Sequence, residues 1–465
     1  MRAILVIVIV AFGLIAAAQN RFNGLLLYLW FSFFRPQEWA YSTIVDLRLS
    51  LLAGVALVGP SALSGKFPNV RHPLCFGSLM FLGTACIAHF NAVSPSLSLG
   101  ALDQLARVIV VSLLTVTLVT SRREFVLVLL TVVASLGFHS SKYGVGYLIR
   151  GGAHFRNGIG GMFSDNNDFA LAIARIIFLT IPCAQNIEGL VPFGKWVRRG
   201  LWVTLPLSMV AVISTYSRGG ALAMAGGFLT FIMLQKRRFT VLAVIGILAV
   251  VGYLVVPVPD DYMNRLGTIA NYDTAESMDR GLVTTGDESA LSRLHFWQVA
   301  MVMAEANPFG VGLRNFERNY DRYDFSQGDH GTRKAVHSSH FQVLAETGYL
   351  GLLIWFGLIF WSVKTLLQIR SRSSSPQLSD DAKYFYLTSA NGMLASMVAF
   401  MIGASFLSQL LNDLNWLGFG LIATLDRLSL AEVGATVKEP VAAPMARPVP
   451  AFSGFSAMTR HRNES

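Results

Sequence analysis

His337, Arg218 and Arg293 are the side chains of this sequence best suited to chemistry, with Arg35, Arg156, Arg314 and His340 as supporting candidates. A guanidinium offers its donors as a planar fork that meets phosphate or pyrophosphate bidentately. An imidazole titrating near neutrality takes a proton from a hydroxyl. Arginines gathered with a histidine therefore read as a site for a phosphorylated ligand beside a general base. Each residue also has a plainer role. An arginine at a helix end snorkels to lipid phosphates or pairs with Asp46, Asp165 or Glu317, and a histidine at a helix mouth caps it.

The elements that must hold these residues are apolar. Of 465 residues, 53% are hydrophobic and only 14% charged, where soluble domains run near a quarter charged. The fold class this implies is all-α, a polytopic transmembrane helix bundle. Candidate spans fall at 3–18, 23–34, 46–63, 74–91, 103–120, 124–138, 167–185, 200–216, 219–234, 239–257, 340–368, 386–407 and 410–428. The second is too short to cross unaided, so about 12 crossings are expected. The apolar run at the start reads as a retained first helix rather than a cleaved signal. Cys75, Cys86 and Cys183 lie in apolar runs without ligand spacing, which leaves no disulfide framework or zinc site. The net charge of +10 sits mostly between spans, so it reads as topology rather than nucleic-acid binding.

Lys66 with Arg71, Arg122 with Arg123, Lys195 with Arg198 and Arg199, Lys236 to Arg238, and Lys364 with Arg370 and Arg372 occupy alternate junctions. By the positive-inside rule these face the cytoplasm. Segments 35–48, 139–166, 217–220 and 258–339 then face outward, and they carry Arg35, Arg48, Arg156, Arg218, Arg293 and Arg314 against the prevailing bias. The organisation expected is N-terminal spans over 1–257, a long outward loop over 258–339, C-terminal spans over 340–430 and a disordered tail over 431–465. Within the loop, Ser292 to Ala306 has apolar residues at helical spacing and stops before Asn307-Pro308.

Arg218 lies in Ser-Thr-Tyr-Ser-Arg-Gly-Gly (214–220), between two spans with almost no loop. The glycines there permit a tight turn and close approach of a ligand to backbone N–H groups. His337 opens a segment running through His340 and Glu346 to Gly348 and Gly351. His340 is one turn on, and Glu346 reads as a helix partner rather than a substrate group. The other histidines stand isolated along the chain. Gly158 to Asp168 is a glycine-rich run ending in capping residues, and Pro308 to Gly312 is a turn able to position Arg314 and Asn315. No cofactor or metal is called for, although Asp260, Asp261, Asp273, Asp321 and Asp324 offer a rival magnesium set.

These residues resemble a known family. His337-Ser338, nine residues, Gly348, two residues, Gly351 is similar to the His-[Asn/Ser/Gln]-x9-Gly-x-x-Gly pattern of bacterial O-antigen ligases. Ser217-Arg218-Gly219 resembles their Ser-Arg-Gly turn. Arg293-Leu294 with Trp297, then Pro308-x-Gly-x-Gly-x-x-x-Phe316, resembles their segment ahead of the histidine. Phe34-Arg35-Pro36-Gln37-Glu38-Trp39 and Ser164-Asp165-Asn166-Asn167 look like the exosortase-associated O-glycosylation ligase branch. The sequence departs from the commoner pattern at Ser338, and at His340, where an aromatic is usual.

The resemblance implies a glycosyltransferase of the bacterial inner membrane with one long periplasmic loop carrying short helices. Its donor would be a polysaccharide on undecaprenyl pyrophosphate, its acceptor a hydroxyl of lipid A–core oligosaccharide, and its active site periplasmic. His337 would be the base, Arg218 and Arg293 the pyrophosphate ligands, and Arg156, Arg35, Arg314 and His340 substrate contacts. Transfer would be inverting and metal-independent. Membrane lipids are the other partners implied, and nucleic acid is not one. The competing readings are a glycan polymerase or protein O-glycosylation ligase of the same superfamily. From another class, a lipid-linked sugar transporter would show charges deep in several spans.

Overall fold

A computed structural model describes residues 2–40, 49–152, 154–155, 157–255 and 285–438. The first helices are α1 (Arg2–Gln19), α2 (Arg21–Phe34), α3 (Pro36–Trp39), α4 (Leu49–Leu63), α5 (Pro73–His89), α6 (Pro95–Leu118) and α7 (Arg122–Ile149). A hairpin of β1 (Asn157–Gly160) and β2 (Phe163–Asp165) leads into α8 (Asn166–Asn186), α9 (Gly194–Ser214), α10 (Arg218–Met233) and α11 (Arg238–Val255). After the loop come α12 (Thr285–Ala306), α13 (Phe316–Tyr323), α14 (Ser339–Arg372), α15 (Asp380–Ala404) and α16 (Asp413–Lys438).

Local chemistry sets the helix starts. Pro73 and Pro95 occupy first-turn positions, where a missing N–H is harmless. Ser121 and Glu124 close a capping box on α7, and Asp165 and Ser217 cap α8 and α10. Each expected span coincides with a helix. Seven (α1, α6, α7, α8, α9, α14 and α15) have the length and apolarity to cross a membrane unaided, among the described residues. With 14 residues, α2 reaches only about 21 Å at 1.5 Å per residue, short of the roughly 30 Å hydrocarbon core. The chain is a multi-pass helical membrane protein. Its centre is α8, buried on nearly all sides against α7, α9, α10 and α15.

Two boundaries differ from expectation. The outward segment expected from residue 139 is helical to Ile149. Its polar residues read as loop because their partners lie far along the chain: His139 Nε2 meets the Phe34 carbonyl at 2.8 Å and Ser140 Oγ meets Ser208 Oγ at 2.7 Å. The tail expected from 431 begins as helix, since α16 continues to Lys438.

The two ends of the bundle are chemically distinct. At one, Arg122 pairs with Glu432 at 3.0 Å, His72 with Asp426 at 3.4 Å, and Arg372 with the same Asp426. Arg370 donates to the Leu234 carbonyl at 3.0 Å. Junctions between distant spans thus meet at one basic end. The opposite end carries the hairpin, the 214–217 turn, His337 and the 405–412 connection.

The expected single span at 340–368 is broken. Gly348 has φ 75° and ψ −173°, a region open essentially to glycine alone. Residues 308–312 dock into the break. Val311 N donates to Ala345 O and Gly312 N to Glu346 O, both at 3.0 Å, while Tyr349 N donates to Pro308 O at 3.1 Å. A Cβ on Gly348 would lie 2.1 Å from Pro308 O, and one on Gly310 would lie 2.5 Å from Glu346 O. The loop helix α12 buries Phe296, Val299, Ala300, Met303 and Ala304, the expected helical spacing, and begins earlier, at Thr285. Phe296 and Val299 pack with Val311, Phe316, Tyr320, Val336 and Ala345 in a small second core.

Gly348→Ala is therefore expected to destabilise the protein by at least about 1–3 kcal/mol through backbone strain alone, before any clash. Gly357→Ala, on the same helix with open space around it, should be neutral. Thermal unfolding of the two purified variants checks this.

Candidate active site

The site begins at the turn between α9 and α10. The Thr215 carbonyl accepts hydrogen bonds from Asn166 Nδ2 at 2.8 Å and from His154 Nε2 at 3.1 Å. Tyr216, with φ 54°, stacks on His154 with ring centroids 4.3 Å apart. Ser217 Oγ accepts from Gly220 N at 3.1 Å, so Arg218 is the first residue of α10. The tight turn does not draw on the backbone freedom of the glycines. Neither has a positive φ, and Gly220 is small because a Cβ would come 2.7 Å from Ala170 Cβ on α8. The turn is pinned to the core and presents Arg218 at a helix N-terminus, where anions are favoured.

Arg293 on α12 and His337 ahead of α14 complete this group. Burial lowers the pKa of Arg293, and the nearby charge of Arg218 lowers it further. His337 has φ 50°, is open to solvent on one side, and lies 6.2 Å from the Phe296 ring between centroids. Its pKa falls below 6.5 through burial of the ring, then through Arg293 and Lys334, while Asp165 pulls it upward. Arg218 thus acts on Arg293, and Arg293 and Asp165 act in opposite directions on His337.

A second group surrounds a polar cavity of about 400 Å³ lined by Arg35, Arg314, Gln104, Asp168, Gln342 and Gln409, among others. Arg314 donates to Gln104 Oε1 at 2.9 Å, and Arg35 pairs with Glu38 at 3.6 Å. The tip of the β-hairpin sits on that pair. A Cβ on Gly161 would lie 1.8 Å from Arg35 Nη2, and one on Gly160 2.8 Å from the Glu38 side chain. The glycine-rich run is thus a seat for Arg35. Arg35, Arg314 and His337 are three of the seven non-glycine residues with positive φ among those described, and strain of this kind clusters at functional sites.

A family model described as O-antigen ligase matches residues 203–356. That match supports membership in the O-antigen ligase family. The match carries Arg218, Arg293, Arg314, His337 and the Gly348 break. A second model, described as a family of unknown function (DUF5935), matches residues 1–184, which hold Arg35, Arg156 and the hairpin. No curated protein matches the chain. The match supports a general role as a glycosyltransferase-like ligase or polymerase.

Within the bundle the remaining candidates separate. His340 is engaged in helix packing: Trp355 Nε1 donates to its Nδ1 at 3.1 Å, and its ring stacks on Phe356 at 5.3 Å. Arg156 lies outside the described residues. Glu346 is a structural acceptor, taking backbone N–H bonds from Arg314 and Phe316 and a bond from Gln342 Nε2 at 3.3 Å. It fixes the backbone of Arg314.

The histidines isolated in sequence are not isolated in space. His295 Nε2 meets Asp324 Oδ1 at 2.8 Å and its ring lies 4.3 Å from that of His330. Burial opposes ionisation of Asp324, yet bonds from Ser326, His295 and Gly328 hold its pKa at about 2. Asp321 accepts from Arg333 N at 2.8 Å. These two aspartates of the rival metal set are occupied by protein donors, and Asp260, Asp261 and Asp273 lie outside the described residues. Among the described residues, no group of three His, Cys, Asp or Glu side chains is placed to hold a metal.

Sequence reasoning missed Arg175. It is buried on α8, donates to Asn415 Oδ1 and to the Leu414 carbonyl at 3.2 Å, and lies 4.8 Å from the Phe400 ring centroid. It anchors the start of α16 beside the 405–412 connection. Its signal was present, a lone charge inside an apolar span. Asp168, Gln342 and Gln409 carried no comparable signal.

The electrostatics give opposite shifts to measure. Arg293→Gln removes a positive neighbour, so the His337 pKa should rise and the acidic limb of any His337-dependent activity should move to higher pH. Asp165→Asn removes a negative neighbour and should move that limb to lower pH. Titration of the His337 ring by NMR in the two variants checks both directions.

Proposed function

We propose that this protein transfers a glycan from undecaprenyl pyrophosphate to a hydroxyl of lipid A–core oligosaccharide, at the periplasmic face of the inner membrane. The observation that carries the reading is the grouping of Arg218, Arg293 and His337 at the end of the bundle opposite the basic junctions. Under the positive-inside rule those junctions are cytoplasmic. About 12 crossings then follow if the shorter helices cross as well, and the long loop is periplasmic.

In this reading His337, neutral at pH 7 because its pKa is depressed, takes the proton from the acceptor hydroxyl as that oxygen attacks the anomeric carbon. The bond from that carbon to the pyrophosphate oxygen breaks, and the lipid pyrophosphate leaves with the electron pair. Arg218 and Arg293 repel each other in the free site, so a pyrophosphate between them relieves that repulsion and stabilises the charge developing on the leaving group. In-line attack inverts the anomeric centre. The arginines supply the positive charge that a divalent ion would otherwise bring.

Reconstituted transfer from a purified lipid-linked donor tests the proposal. Wild-type protein should glycosylate lipid A–core in saturating EDTA, and His337→Ala should be slower by about 10²–10⁴-fold while retaining wild-type stability. Transfer only to protein, or only extension of lipid-linked glycan, would replace the lipid A–core acceptor. Near-normal turnover by His337→Ala would remove the histidine from the mechanism. Loss of activity on chelation, restored by magnesium, would transfer the catalytic role to carboxylates.

A further inference from the structure

The polar cavity does not end at Arg35. A second cavity of about 560 Å³ shares Arg35, Gln104 and Met162 with it and runs between α2, α4 and α6. Its walls are mostly apolar, with Phe31 from α2, Leu51, Val55 and Val58 from α4, and Val108 and Val111 from α6. Both volumes fall within the roughly 300–1,000 Å³ of small-molecule sites. Polar groups concentrate where the two join.

Three arginines, Arg35, Arg107 and Arg314, line the joined space with two carboxylates, Asp168 and Asp413. Arg35 is also paired with Glu38 at 3.6 Å and Arg107 with Asp103 at 2.6 Å, pairs that a phosphate would have to share. Asp413 accepts a hydrogen bond from Ser32 Oγ, which offsets part of its charge. Arg35 Nε and Gln37 Oε1 are buried with no hydrogen-bond partner among the described residues. Orphaned buried donors and acceptors are uncommon and call for an unseen partner. An apolar groove, an arginine-bearing neck and an amide-lined chamber together complement an amphiphile with an acyl chain, a phosphate and sugar.

We infer that this groove is the entry site for the acceptor, a phosphorylated glycolipid whose chain lies between α2, α4 and α6. Its phosphate meets Arg35 and Arg107, and its sugar occupies the chamber leading towards His337. The assignment rests on the transferase reading, in which the donor pyrophosphate already occupies Arg218 and Arg293. The donor's lipid is attached to that pyrophosphate, so the separate arginine group at the head of the groove is left for the second substrate.

Gly54 lines the groove, and a Cβ there would meet only Tyr28 at 3.8 Å, an ordinary contact. The backbone therefore accepts a Cβ at this position, and Gly54→Leu places an isobutyl group in the groove; a thermal unfolding midpoint equal to wild type shows the fold intact. Gly59, on the same helix and outside the lining, has nothing within 4 Å, so Gly59→Leu controls for added bulk on α4. The probes are diphosphoryl lipid A and undecaprenyl phosphate, each titrated into the purified protein in detergent and followed by native mass spectrometry.

Gly54→Leu should bind lipid A at least about tenfold more weakly, since excluding two methylenes from an apolar site is worth that factor. Undecaprenyl phosphate binding should be unchanged, and Gly59→Leu should match wild type for both lipids. Equal lipid A binding by Gly54→Leu and wild type, or absence of lipid A binding by wild type, would overturn the assignment. Loss of undecaprenyl phosphate binding instead would give the groove to the donor. The binding readout is separate from turnover, so an inactive protein with the expected binding pattern would keep the lipid A groove and overturn its role as acceptor entry together with the transferase reading.

Discussion

The break in α14 at Gly348 and the 308–312 turn that fills it hold the candidate site together. A helix interrupted inside a bundle strands carbonyls on one side of the break and N–H groups on the other. In a membrane protein these must be satisfied by protein, because no water reaches them in the hydrocarbon region. Here the loop's own backbone satisfies them at Ala345, Glu346 and Tyr349. The same docking fixes where α12 ends and α13 begins, and so relates Arg293 and Arg314 to His337. Gly310, Gly312 and Gly348 all have positive φ, and the Pro-x-Gly-x-Gly and His-Ser-x9-Gly spacings are two halves of one contact.

Around that contact the structure sets charges against each other. Arg218 and Arg293 are near enough to interact unfavourably, and Arg293 holds the His337 proton affinity down. A free site under such repulsion is poised for an anion, and a base kept neutral is ready for a hydroxyl proton. Asp165 caps α8 and also moderates His337, so one carboxylate ties the helix that centres the bundle to the titration of the base. Arg175 and the pinned turn at Thr215 extend the same support outward from α8.

Much of this was legible in the sequence because local chemistry writes it there. Apolar runs located the helices, caps located several of their starts, and arginines expected on the outward side drew attention to the candidate site. Distant contacts were not legible. His139 and Ser140 looked like loop because Phe34 and Ser208 are far away in the chain. His295 looked solitary because Asp324 and His330 come from across the loop. Gly219 and Gly220 read as turn glycines because their packing partners, Phe406 and Ala170, lie far along the chain. The division of the arginines into two groups also depends on tertiary structure, since Arg35 reaches its cavity only through the hairpin seat at Gly160 and Gly161.

Electron cryo-microscopy of the protein with bound undecaprenyl pyrophosphate tests the central claim most directly, because it locates the leaving group among the two sets of arginines. The pyrophosphate should lie between Arg218 and Arg293, in hydrogen-bonding contact with both, with His337 facing the position of the anomeric carbon. Pyrophosphate held instead by Arg35 and Arg314, with Arg218 and Arg293 unengaged, would contradict it.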